Sequence, residues 1–214
     1  MIKLVAAMIF VSPLTSASTL DIYVYDWAGT PSSVLQEARA VLARILHRSD
    51  IELRWHLESP SSPEARRVVF PDRPRPGQQR EMECAARRDI ALLLIGHQGI
   101  GKGTQNMGYA NPLATAGVNA TILYERVRDI AAEHAVQPGT LLAHAIAHET
   151  GHVLMRSNSH RKHGLMAGDW DRAQYEWIKR AGMFFDRSEA NRIKASISGE
   201  GCGMVKAFPR HAPQ

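Results

Sequence analysis

His148-Glu149-Thr150-Gly151-His152 lies inside residues 141–155, a stretch with no proline and many helix formers. Residues four apart on a helix share one face, so His148 and His152 present two imidazoles to one point. A catalytic zinc takes three protein ligands and leaves a fourth position to water, whose pKa it lowers. This run supplies two of those ligands, and Glu149 beside them is the candidate base. Pro138-Gly139-Thr140 reads as the helix start, with Thr140 as the expected N-cap. Leu141, Leu142, Ala145, Ile146, Val153 and Leu154 form the apolar surface that such a helix lays on a sheet.

Downstream the chain reads Val153-Leu154-Met155-Arg156-Ser157-Asn158-Ser159-His160-Arg161-Lys162-His163-Gly164-Leu165-Met166. The whole run resembles the metzincin class of zinc metallopeptidases, whose pattern is H-E-x-x-H-x-x-G-x-x-H followed by a Met-containing turn. His148, Glu149 and His152 match it. Met155 stands in the position of the turn-forming glycine and Asn158 in that of the third histidine. Asparagine tolerates the left-handed conformation next best after glycine. The expectation is therefore a helix about one turn longer, ended by Asn158, with His160 returning to the metal. Gly164-Leu165-Met166 resembles the Met-turn, with Met166 as an apolar floor. The spacing H-E-x-x-H-x(7)-H is also similar to that of a family of small secreted bacterial proteins, over residues 20–197.

The resemblance implies a Zn²⁺ ion held by His148, His152 and His160, with Glu149 as the catalytic residue. His163 and, in a gluzincin arrangement, Glu176 are alternatives for the third ligand. His144, one turn before His148, reads as a packing or hydrogen-bonding residue. Tyr109 is a weaker candidate for substrate or oxyanion contact.

The N-terminus combines Lys3, an apolar run over 4–11 and small residues near Ala17. This describes a signal peptide over residues 1–18, too short to span a bilayer, followed by one catalytic domain over 19–214. The expected location is secreted or periplasmic, and a chain starting near Thr19 leaves no room for an inhibitory propeptide. The two cysteines, Cys84 and Cys202, then suggest a disulfide. A net charge of +5 spread over scattered basic residues shows no basic helix interleaved with aromatics, which argues against nucleic-acid binding. No second segment is apolar enough to span a membrane, and a monomer is expected.

Residues 20–25, 51–57, 90–95, 106–110 and 119–125 read as strands, and 31–47, 171–180 and 188–196 as helices. The strand-helix-strand start implies a parallel crossover, and 59–77, rich in Pro and Arg, reads as a loop. Residues 96–104 miss a phosphate-binding loop, because Gly103 stands where Ser or Thr belongs. The fold class expected is α+β or α/β: a mixed twisted sheet, the active-site helix packed on it, and a small helical C-terminal part. In metzincin-like enzymes an edge strand pairs with extended substrate, a role open to Met107–Ala110. The function expected is hydrolysis of peptide bonds in a peptide or protein substrate by Glu-assisted attack of a zinc-bound water. Two alternatives are a non-catalytic peptide-binding module, whose metal site is closed by His163 or Asp169, and a zinc amidase acting on cell-wall material.

Overall fold

Leu20, Ile22 and Val24 alternate with half-buried residues and are themselves fully buried, the mark of a strand with one face in the core. They belong to β1 (Ser18–Asp26), and the computed structural model describes residues 18–63, 65, 87–96, 106–114, 117–180 and 182–200. All but the last residue of the expected signal peptide (1–18), both cysteines and residues 97–105 lie outside the described residues; Ser18 opens β1. The other strands are β2 (Ile51–Glu58), β3 (Asp89–Ile95), β4 (Gly108–Ala110) and β5 (Ala120–Leu123). They form one five-stranded sheet in the order β2-β1-β3-β5-β4. β1 pairs in parallel with β2 and β3, and β3 with β5; β4 is antiparallel to β5 and forms one edge. This is the mixed sheet expected.

The helices are α1 (Ser32–His47), α2 (Tyr124–Glu133), α3 (Pro138–Met155), α4 (Arg172–Arg180) and α5 (Arg187–Ser198). α1 buries Leu35, Ala38, Val41, Leu42, Ile45 and Leu46 along one stripe and packs on α3 and β2. Those side chains join Leu20, Ile22, Ile90, Leu92, Leu94 and Ile122 in the main core. Burying each large aliphatic side chain is worth about 1.5–3 kcal/mol, so this layer dominates stability. α3 is buried from Leu141 to Leu154 without a gap, as expected of a helix enclosed on every side. It touches α1, α2, α4, α5, β4 and β5. No helix among the described residues is long and apolar enough to cross a membrane.

Three local expectations are corrected. Tyr124 and Glu125, read as the end of a strand, open α2. Tyr124, Val127, Ile130 and Ala131 are buried at helical spacing, and that period outweighs the β-propensity of the preceding residues. Thr140 is not the N-cap of α3. The cap is Gln137, with Pro138 in the first turn, where its missing N–H costs nothing. The Thr140 hydroxyl instead donates to Glu37 of α1 at 2.7 Å. Finally, α3 does not run on to Asn158: it ends at Met155, and Arg156 takes the left-handed conformation at φ 51°, ψ 44°. The Ser157 and Arg156 amides close the end onto the His152 and Val153 carbonyls at 3.1 and 3.3 Å. Those bonds offset the roughly 1–2 kcal/mol that a side chain costs in this region.

Candidate metal centre

The turn at Arg156 sends the chain back toward α3, and His160 arrives beside the two helical histidines. One side-chain nitrogen each from His148, His152 and His160 lie within 4.8 Å of one another. His152 Nε2 is 3.0 Å from His148 Nε2 and 3.1 Å from His160 Nε2. The protonation of two rings follows from their other nitrogens. His148 Nδ1 is 2.8 Å from the Leu165 carbonyl and His152 Nδ1 is 2.7 Å from the Ser157 carbonyl. A carbonyl only accepts, so both Nδ1 atoms carry the proton and both Nε2 atoms present lone pairs. Burial, above all, depresses the pKa of both, that of His148 to about 4, so they are neutral near pH 7.

Two lone pairs 3.0 Å apart repel unless a cation lies between them. Tetrahedral zinc with bonds of about 2.0–2.1 Å to nitrogen sets its ligand nitrogens roughly 3.3 Å apart. The residues present therefore fit a divalent ion with imidazole preference, and the carbonyl partners supply the ligand orientation that such sites use.

Glu149 is 8% exposed and makes no hydrogen bond or ion pair among the described residues. Desolvation raises its pKa to about 7. A divalent cation alongside draws that value back down. β4 presses directly on it: a Cβ on Gly108 would sit 3.1 Å from Glu149 Cγ and 2.7 Å from the Thr121 carbonyl. Gly151, on the same helix, faces the turn beneath. A Cβ there would lie 2.7 Å from Met166 Sδ and 2.9 Å from Phe185 Cε1. Met166 is buried, and Leu165 before it bonds His148, so the Gly164-Leu165-Met166 turn does underlie the cluster.

A cleft of about 330 Å³ opens over these groups. β4 contributes Gly108, Tyr109 and Ala110, while Asn158, Asp169, Trp170 and Tyr175 stand among its other walls. Tyr109 is on the rim, 54% exposed. His163 and Glu176 are not in the cluster; Glu176 pairs with Lys179 at 2.6 Å on the outside of α4. Asp169 does not join it either, so no fourth ligand closes the site among the described residues. His144 packs without touching the cluster: Nδ1 donates to the Thr140 carbonyl at 2.8 Å and Nε2 accepts the Met183 amide at 3.0 Å. Sequence reasoning missed Trp170 and Tyr175, because an aromatic near a short helix reads equally well as core. It also missed Gly151, whose need for a bare Cα depends on the distant Phe185.

No protein-family model and no curated protein sequence matches this chain. Solved structures do. The zinc-dependent peptidase of Methanocorpusculum labreanum is similar over 80% of this chain and 99% of its own, with 13% identity and a TM-score of 0.50. The fold resembles that of this peptidase. The archaemetzincin of Methanopyrus kandleri aligns over 87% of this chain and 98% of its own, at 15% identity and a TM-score of 0.48.

Proposed function

We propose that the chain is a zinc-dependent peptidase that hydrolyses peptide bonds in the cleft between β4 and the 156–170 segment. The observation that carries this reading is the convergence of three imidazole nitrogens beside a buried, unpartnered carboxylate. His148, His152 and His160 would hold the ion. Bound there, a divalent ion supplies a Lewis acid for the scissile carbonyl and acidifies water. Glu149 has no competing partner among the described residues, so its carboxylate could accept a proton from the attacking water and return it to the leaving amine. β4 is an edge strand whose open side suits an extended peptide, held by main-chain hydrogen bonds across the cleft. A structural metal site has no use for a desolvated base, which counts against the non-catalytic reading. Export belongs to the same proposal and rests on the pattern of residues 1–18.

The test is cleavage of a mixed peptide library by zinc-loaded wild type and Glu149→Gln. The variant should keep its zinc and lose roughly 10²–10⁴-fold in rate, the usual contribution of a general base. Equal rates, or no cleavage by the wild type, would overturn the proposal.

A further inference from the structure

Beyond the histidines, the cleft ends in a wall that the hydrolytic chemistry does not use. Trp170 stands edge-on to His148, with ring centres 5.9 Å apart, and Tyr175 stands edge-on to Trp170 at 6.3 Å. Ala145 of α3 lines the same cleft. Asp169 lines it too, is exposed, and has no hydrogen bond or ion pair among the described residues. The Tyr175 hydroxyl is held protonated first by burial and then by the negative charges of Glu133 and Asp169. Among the described residues no lysine or arginine lines the cleft, although the chain as a whole carries a net charge of +5.

Glu149 and Asp169 together offset the charge of a divalent ion held by the three histidines, and a concave, partly apolar site focuses the field of the Asp169 carboxylate on what lies beside it. Lysine and arginine match such a site: the aliphatic stem lies along the apolar part of the cleft while the cationic head reaches the acid. Resting on the peptidase reading above, we infer that the cleft selects peptides with a lysine or arginine beside the scissile bond, and that Asp169 is the residue that sets this preference.

The test is binding, so that it does not depend on turnover. Zinc-loaded protein is titrated calorimetrically with short peptide hydroxamates that differ only in the side chain next to the chelating group: arginine, leucine or glutamate. The arginine compound should bind about tenfold more tightly than the leucine compound, the worth of one charge-assisted hydrogen bond. Asp169→Asn should erase that difference, and Asp169→Lys should shift the preference to glutamate, both with unchanged zinc affinity. Equal affinities in the wild type, a preference that survives Asp169→Asn, or a loss of zinc in either variant would each overturn the inference. If no hydroxamate binds the zinc-loaded protein, the metal-cleft reading itself fails and this one with it.

Discussion

The histidine cluster is assembled from two regions held by different physics. His148 and His152 sit in the last two turns of α3, where helix periodicity sets their spacing and burial on every side fixes the helix. His160 comes from an exposed loop whose path depends on particular backbone states and on hydrogen bonds from outside it. Arg156 and Gly164 both have positive φ, at 51° and 87°. The Arg161 amide closes the loop onto the Met166 carbonyl at 2.8 Å. The Arg161 guanidinium reaches Glu189 and Asp186 of the α5 cap at 3.5 and 3.7 Å. From α5, Arg192 in turn donates to the Met155 carbonyl at 3.0 Å. The difference teaches that one part of the site is built into local sequence, whereas the other is built by tertiary contacts.

The largest expected effect follows from the helical part. His152→Ala removes the nitrogen that sits 3.0 and 3.1 Å from both others. Zinc affinity should fall by more than the roughly 100-fold that losing a mere orienting partner costs. Chelator competition would show this, and a smaller loss would mean that the loop carries the site.

Acid stability probes the same buried helix away from the metal. His144 is fully buried, and desolvation chiefly holds its pKa at about 4, against 6.5 when unfolded. The neutral ring favours the folded state, so its contribution is complete above pH 6.5. As pH falls from 6.5 to about 4 the unfolded chain takes up the proton first, and roughly 3 kcal/mol is lost. Urea midpoints measured in EDTA across this window should fall less steeply for His144→Gln than for the wild type. Parallel slopes would refute that account of His144.

Gly151→Val tests the packing beneath the helix. The new methyls would meet Met166 Sδ and the Phe185 ring, and overpacking of this kind costs about 1–3 kcal/mol. Thermal unfolding of the metal-free variant should reveal it; an unchanged Tm would show that the turn yields freely. The smallest effect is expected in the loop's surface tether. The Arg161 side chain is 53% exposed, so Arg161→Ala should cost less than about 1 kcal/mol in chemical denaturation. A larger loss would make the loop a structural unit in its own right.

The two regions differed in how far the sequence disclosed them for the same reason. β1, α1, β2 and β3 carry long periodic patterns, and the structure places each within two residues of the range expected. His148, Glu149 and His152 could be placed on one face of a helix because a helix of that apolarity has few alternatives. α2 was hidden because the run Ala120–Leu123 is as short as a strand and passes into a helix with no turn residue between. The end of α3 was hidden because arginine has no preference for the left-handed region. The hydrogen bonds closing on His152 and Val153 favour Arg156 there over Asn158. That His160, rather than His163 or Glu176, meets the helical pair depends on this turn.

Zinc affinity of the wild type beside His160→Ala, measured by chelator competition at neutral pH, tests the central claim most directly. A three-histidine site predicts a loss of two or more orders of magnitude, beyond what an orienting residue alone contributes. An unchanged affinity would contradict it, and would leave the loop from Arg156 to Met166 with no part in holding the metal.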